Sequence, residues 1–387
     1  MIKPADRIST VQEYYFSVKL KEIDKLRQEG QDIINLGIGS PDQPPAEQVI
    51  ETLGQNAKCS DKHGYQSYIG IPSLRKGFAS WYKRSYGVDV NFESEVIPMM
   101  GSKEAIMHIS MAFLNPGDEV LLPNPGYPTY TAVTNLVGAV GRYYDLTEEN
   151  HWQPDLEYLE KQDLSKVKIM WVNYPNMPTG APANPRVMKQ LIDFGRKYNI
   201  LICNDNPYSF VLNPKPSSLL SIDGAKDVAI ELNSLSKSHN MAGWRIGMVA
   251  SNETFIKHIL RVKSNMDSGM FRPMQEAAAK ALELDEQWYA RVNSVYALRR
   301  ALVYDIMDAL ECTYDRNQVG LFIWAKIPDK YKNAQQVSDL ILYKAQVFIT
   351  PGFIFGSNGA RYIRISLCAS EELLKESVKR IKQLEIQ

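Results

Sequence analysis

Ser234-Leu235-Ser236-Lys237-Ser238-His239-Asn240-Met241-Ala242-Gly243-Trp244-Arg245-Ile246-Gly247 is the stretch from which the rest of the chain can be read. Two hydroxyls, Ser234 and Ser236, closely precede a lysine, and Arg245 follows eight positions after it among small residues. Taken alone, a lysine is a solvated surface charge. Lys237 differs in having Ser, Gly and apolar neighbours rather than other charges. Its amine is placed to form a Schiff base, with hydroxyls and a guanidinium to hold an anion beside it.

Outward from this stretch the chain alternates. Apolar runs at residues 96–100, 119–122, 167–172, 200–203, 228–232 and 246–250 are mostly separated by helical stretches. Alternation of that kind predicts an α/β fold with a mostly parallel, mixed sheet covered by helices. On the N-terminal side, residues 9–29 read as a helix stopped by Gly30, and 32–36 as a short strand. The loop Gly37-Ile38-Gly39-Ser40-Pro41-Asp42 follows. On the C-terminal side comes a long helical region, 273–311, then strands at 320–327 and 361–366, which read as a second, α+β unit. Residues 370–384 read as an amphipathic helix.

Bulk properties narrow the function classes. A chain of 387 residues can bury a large core and is expected to form two domains. Lys plus Arg and Asp plus Glu each number 44, so no net charge steers it toward nucleic acid or a membrane surface. Cys59, Cys203, Cys312 and Cys368 show no paired spacing and read as reduced thiols in a cytoplasmic protein. The five histidines form no ligand-like cluster, so no metal is expected. The segment Met1-Ile2-Lys3-Pro4-Ala5-Asp6 lacks the apolar stretch of a signal peptide, and no apolar run reaches transmembrane length.

Further motifs sit at strand ends. Gly101-Ser102-Lys103-Glu104-Ala105 follows an apolar strand and opens a helix, offering free N–H groups to an anion, or an ordinary Ser cap. Asn124-Pro125-Gly126-Tyr127 and Asp205-Asn206-Pro207-Tyr208 follow two other strands. In Tyr362-Ile363-Arg364-Ile365-Ser366, strand alternation puts Arg364 on one face with Tyr362 and Ser366. Its planar fork suits a carboxylate better than a lysine would.

Along nearly its whole length the chain resembles the fold-type-I pyridoxal phosphate enzymes, the class I/II aminotransferases, and within them the aspartate, alanine and diaminopimelate group. The resemblance implies pyridoxal 5′-phosphate as cofactor, which needs a covalent anchor and a dianion cradle side by side. It implies Lys237 as anchor and acid/base, Asp205 paired with the pyridine nitrogen, and Tyr208 donating to the ring oxygen. Tyr127 would stack on the ring. Gly101, Ser102, Lys103, Ser234, Ser236 and Arg245 would hold the phosphate. Tyr65, in Tyr65-Gln66-Ser67-Tyr68-Ile69-Gly70-Ile71-Pro72-Ser73-Leu74-Arg75, would cross to the phosphate of a second subunit, making a homodimer with shared sites. Arg364 would grip the substrate α-carboxylate, with Gly39 and Tyr15 across the substrate. Segment 263–275 would reach the partner's site, where Arg272 is either a second carboxylate ligand or a solvated charge.

The resemblance also divides the chain into a large domain, 37–278, and a discontinuous small α+β domain, 1–36 plus 279–387. In Asn173-Tyr174-Pro175-Asn176-Met177-Pro178-Thr179-Gly180 the chain departs from the family pattern. Met177 stands where an Asn would bond the ring oxygen, which leaves Asn176 or Asn173 to supply that bond. The implied reaction moves an amino group from an L-amino acid to a 2-oxo acid by a ping-pong cycle. A β-eliminating C–S lyase on the same scaffold is the alternative, since fold alone does not choose the reaction. A regulatory module fused to a DNA-binding domain is disfavoured, because only about 35 residues precede the Gly37 loop and net charge is zero.

Overall fold

The computed structural model describes residues 2–11, 13 and 15–384. Met1, Gln12, Tyr14 and residues 385–387, which fall within the expected N-terminal segment, first helix and small unit, lie outside the described residues. In chain order the strands are β1 (Ile34–Asn35), β2 (Val96–Met99), β3 (Glu119–Asn124), β4 (Val140–Asp145), β5 (Val167–Val172), β6 (Leu201–Asp205), β7 (Ala229–Ser234), β8 (Gly247–Ala250), β9 (Phe322–Lys326), β10 (Val347–Phe348), β11 (Thr350–Pro351) and β12 (Tyr362–Ser366).

Seven of them form one sheet in the order β2-β8-β7-β6-β5-β3-β4. From β4 across to β7 every pairing is parallel, and β8 runs antiparallel to both its neighbours. The sheet is therefore mixed and mostly parallel, as the alternation predicts. Strands β6 and β7 are buried at every residue, which is why they read as apolar runs rather than as alternating ones. Successive side chains feed opposite faces. Leu121, Met170 and Ile202 join the apolar cluster on one face, and Val120, Ile169 and Cys203 the cluster on the other.

The edge strand β4 was not among the expected runs. Its sequence is Val-Gly-Arg-Tyr-Tyr-Asp, and Val140 and Tyr143 are solvent-exposed. Antiparallel β11-β12-β9 form a second sheet, and β1 pairs in parallel with β10. A third apolar cluster joins Phe16, Ile23 and Ile34 to Tyr296, Phe322, Val347 and Ile365.

Helix boundaries follow local chemistry. The expected first helix resolves into a 3-10 turn, Asp6–Thr10, and an α-helix, Tyr15–Gln28. Gly30 follows at φ 90°, a conformation open to glycine. The expected helical region 273–311 is two helices, Arg272–Ala281 and Glu286–Ala309. Between them Asp285 caps the second helix, accepting from the backbone N–H groups of Gln287 and Trp288. The last helix, Glu371–Lys382, starts at a Ser370 cap and carries acidic residues in its first turn and basic ones in its last.

The carboxyl ends of β2, β3, β5, β6 and β7 open on one side of the sheet, where the chain also enters β8. In open α/β sheets ligands bind outside these ends.

Candidate active site

A cavity of about 560 Å³ lies at those strand ends. Lys237 enters it from a four-residue helix, Leu235–Ser238, at the end of β7. Ser234 caps this helix, its hydroxyl oxygen accepting the Ser236 N–H at 3.1 Å and donating to the Ser236 hydroxyl at 2.8 Å. The two hydroxyls singled out in the sequence are thus joined to each other at the cavity wall. Lys237 Nζ donates to the Gly39 carbonyl at 2.5 Å. Burial, reinforced by Arg364 and Arg245, pushes its pKa down, while Cys368 and Asp205 pull the other way.

Asp205, the last residue of β6, lines the same cavity and is wholly buried. Its Oδ2 accepts from the Tyr130 hydroxyl at 3.0 Å, and among the described residues Oδ1 has no partner at hydrogen-bonding geometry. Burial lifts its pKa to about 6, although Tyr130, Ser102 and Lys237 each oppose the rise. An unsatisfied buried carboxylate oxygen costs about 1–3 kcal/mol or more, so this atom is built for a donor. Tyr130 is held by stacking on Trp171, with centroids 5.1 Å apart and planes 5° from parallel. Asn173 Nδ2 donates to the Asp205 carbonyl at 2.5 Å.

The anion end is formed where the helix Ser102–Phe113 starts after β2. Gly101 has φ 87°, and a Cβ there would lie 2.1 Å from Arg245 Nη2, so the turn admits only glycine. The Ser102 hydroxyl is buried with no partner at hydrogen-bonding geometry, though close enough to lower the Asp205 pKa. Arg245 has left-handed backbone, φ 58°, and its guanidinium donates to the carbonyls of Ala242 (2.9 Å) and Met100 (3.5 Å). It therefore spans the turn containing Gly101. Lys103 also lines the cavity. Tyr127 and Tyr208 form two of its walls, Tyr127 meeting Tyr130 edge-on at 5.5 Å and Tyr208 meeting Phe322 edge-on at 5.8 Å. Burial raises both phenol pKa values, so both stay protonated donors at neutral pH.

Arg364 comes from β12, at the opposite wall. It is buried, with its guanidinium carbon 3.8 Å from the Phe322 ring centroid, 4.6 Å from Phe355 and 5.6 Å from Phe16. Nη2 donates to the Gly37 carbonyl at 2.8 Å and Nη1 to the Met177 sulfur at 3.2 Å. Gly39 lies against Phe322, where a Cβ would come within 2.3 Å of the ring. The loop that carries Gly37 and Gly39 is tied back by Asp42, which accepts both Arg299 Nη atoms at 2.7 and 2.8 Å.

Gly101 shapes the turn behind the cavity without lining it, and three further expected residues are not brought there. Asn176 is buried in its own loop, its side-chain oxygen accepting from the Thr179 hydroxyl at 2.7 Å. Asn173 lines the cavity instead, because its position at the end of β5 points inward while Asn176 closes the following turn. Tyr15 lies in a neighbouring cavity of about 720 Å³, edge-on to Phe353 at 5.7 Å. The helix turns Phe16 and Leu20, an i, i+4 pair, toward the site. Tyr65 is 93% exposed on its own chain.

Of the two asparagines left open by the sequence, the cavity takes Asn173; Tyr130 and the Phe16–Phe322–Phe355 enclosure were missed. Tyr130 carried a signal, since it stands three residues after Tyr127 at the start of a helix. The phenylalanines carried none, being far apart in sequence.

The chain matches the family model for aminotransferase class I and II over residues 31–381. It is 39% identical to the LL-diaminopimelate aminotransferase of Aquifex aeolicus over 392 residues, covering all of both chains. The structure is similar to that of substrate-bound BacF from Bacillus subtilis, with TM-score 0.94 and 36% identity, covering 99% of this chain and 98% of that one. It is also similar to an alanine aminotransferase from Pyrococcus furiosus, with TM-score 0.91 and 27% identity, covering 98% and 99%.

Proposed function

This chain belongs to the class I and II aminotransferases, and from that premise we propose how its own residues carry the reaction. It is a pyridoxal phosphate-dependent transaminase of fold type I. The observation that carries the site assignment is one cavity holding a half-buried lysine with a lowered pKa and a buried carboxylate with an unused oxygen. Those groups fit the cofactor: an amine to anchor its aldehyde, a carboxylate for its ring nitrogen, and a helix N-terminus with Arg245 for its phosphate. When bound, the cofactor supplies an aldehyde that holds the amino group and a ring that accepts electrons from the α-carbon.

Lys237 Nζ is the group we assign to take the α-proton and return it. Its lowered pKa supports this, because a base must be neutral to accept a proton. The Gly39 carbonyl holds that amine at rest. Asp205 would hold a proton on the ring nitrogen through its unused oxygen. Tyr208 and Asn173 would donate to the ring oxygen, Asn173 in place of Asn176. Tyr127 confines the ring face. Arg364 takes the α-carboxylate, and the three phenyl rings around it exclude water and so strengthen the pairing. A small unit built from both ends of the chain is supported by the apolar cluster that joins residues 16–36 to 296–381 and also takes in Met177, Tyr208 and Val211, while Ala281, Leu282, Leu284 and Trp288 pack with the large unit.

A stopped-flow half-reaction tests the assignment. An amino acid should bleach the cofactor's visible absorbance, and a 2-oxo acid should restore it with no acceptor present in the first step. Arg364→Lys keeps the charge and loses the two-pronged donor. A charged hydrogen bond is worth roughly 1.5–3 kcal/mol, so kcat/KM should fall by about one to two decades. An unchanged kcat/KM would assign the carboxylate to another group.

A homodimer with shared sites is the partner we propose, and the exposure of Tyr65 supports it: an exposed ring on one chain is available to a second. Tyr65→Phe should weaken cofactor retention. A hybrid of one Tyr65→Phe subunit with one Lys237→Ala subunit should then hold one intact site and one doubly defective site. Hybrids with no site of wild-type cofactor affinity would place Tyr65 in its own subunit's site. Among the described residues no helix is long and apolar enough to cross a membrane.

A further inference from the structure

Resting on the transaminase reading above, we propose that the amino donor is a monocarboxylic amino acid with a large apolar side chain, aromatic for preference. A donor with a second charge at its far end, such as glutamate, lysine or diaminopimelate, would be a poor one. The inference starts from where the cavity's charges are. Lys103, Asp205, Lys237, Arg245 and Arg364 are the charged residues lining it among those described. Asp205, Lys237 and Arg245 have places at the ring, anchor and anion positions, Lys103 stands in the first turn of the anion-end helix, and Arg364 is at the α-carboxylate. What remains for the substrate side chain is Phe16, Leu20, Ile38 and Phe355, with the Met177 thioether beside Arg364 and one hydroxyl, Ser17, which already donates to Glu13 at 3.0 Å. Phe16 and Leu20 present one face of the first helix, and Ile38 lies between the two glycines of the loop. A carboxylate or ammonium carried into that wall would lose its water and meet no partner.

A second copy of the chain could supply the missing charge, so the two segments expected to reach the partner's site matter. Residues 65–70 are Tyr-Gln-Ser-Tyr-Ile-Gly, with no charged side chain, and Tyr65 and Tyr68 are both exposed. Residues 263–275 contain three charged side chains, Lys263, Asp267 and Arg272. Lys263 and Asp267 are buried and paired with each other. Arg272 pairs with Glu276 at 3.3 Å, and Glu276 also accepts from the Ser73 hydroxyl at 3.2 Å. A surface pair of this kind is weak, but it brings a carboxylate wherever it brings the guanidinium. The exposed large side chains of this segment are Met266 and Phe271. Both segments therefore offer apolar and aromatic surface and no uncompensated charge.

The test is a donor panel on the holoenzyme, read as the single-turnover rate constant per unit concentration for loss of cofactor absorbance. The probes are L-phenylalanine, L-leucine, L-glutamate, L-lysine and LL-diaminopimelate. L-phenylalanine should exceed each charged donor by at least about tenfold, the scale on which one apolar pocket discriminates. Leu20→Arg, which puts a cation on the apolar wall, should narrow the phenylalanine-to-glutamate ratio. Arg272→Ala should leave both rates within about twofold. Faster conversion by any charged donor, or a selective loss of glutamate conversion in Arg272→Ala, would overturn the inference and leave the transaminase reading standing. Conversion by none of the five would overturn both.

Discussion

Lys237→Ala is expected to abolish transamination while leaving the protein folded. General acid–base catalysis alone contributes about 10²–10⁴-fold, and the covalent anchor is lost as well. A fall in kcat of at least two to four decades is therefore expected. Stability should not suffer. Burial already disfavours the charged amine, and relief of that cost offsets the hydrogen bond to the Gly39 carbonyl that truncation removes. Borohydride treatment of the wild type, followed by digestion, should place the reduced cofactor on the peptide carrying Lys237. Recovery of the adduct on another lysine would sink the assignment, whatever the activity of the variant.

Asp205→Asn is the second large effect, and it should move activity and stability in opposite directions. The amide cannot hold a proton on the ring nitrogen by charge. Removing one partner of a buried ion pair costs about 3–5 kcal/mol, or roughly two to three and a half decades of rate if wholly expressed in the transition state. The cofactor-free protein should gain. The carboxyl group titrates near 3.8 when unfolded and at about 6 when folded. The folded state thus binds the proton more tightly, and ionised Asp205 is a penalty on folding. That penalty is absent below pH 4, grows between pH 4 and 6, and is complete above pH 6. A rise from 3.8 to about 6 corresponds to about 3 kcal/mol at most. The variant should melt higher than wild type at pH 8 and alike at pH 4. A variant that is inactive and also less stable at pH 8 would mean that Asp205 is a structural residue instead.

These two residues were legible in the sequence because each sits at a strand end in a distinctive local run. Buried parallel strands announce themselves as unbroken apolar segments, so β2, β3 and β5 to β8 could be placed to within two residues. The edge strand β4 could not, since solvent on its outer side leaves no such pattern. Short strands such as β10 and β11 are held by their partners, not by their own composition. The same distinction applies within the site. Lys237, Asp205 and Arg364 were found from the residues around them. The replacement of Asn176 by Asn173 depends on how one buried turn closes, through the bond from Thr179 to Asn176. The phenyl enclosure of Arg364 joins residues 16, 322 and 355, and nothing in one-dimensional spacing connects them.

The pairing of β1 with β10 has a consequence for how the molecule is made. Residues 34 and 35 leave the ribosome some 300 residues ahead of their partners at 347 and 348. At the usual pace of about 5–20 residues per second, the first helix and strand wait roughly 15–60 seconds. Within that interval all seven strands of the large sheet, drawn from residues 96–250, have been made. The cluster around Phe16, Ile23 and Ile34, by contrast, is complete only when residues 322–365 emerge. The earliest-made segment thus waits on some of the latest for its full cover.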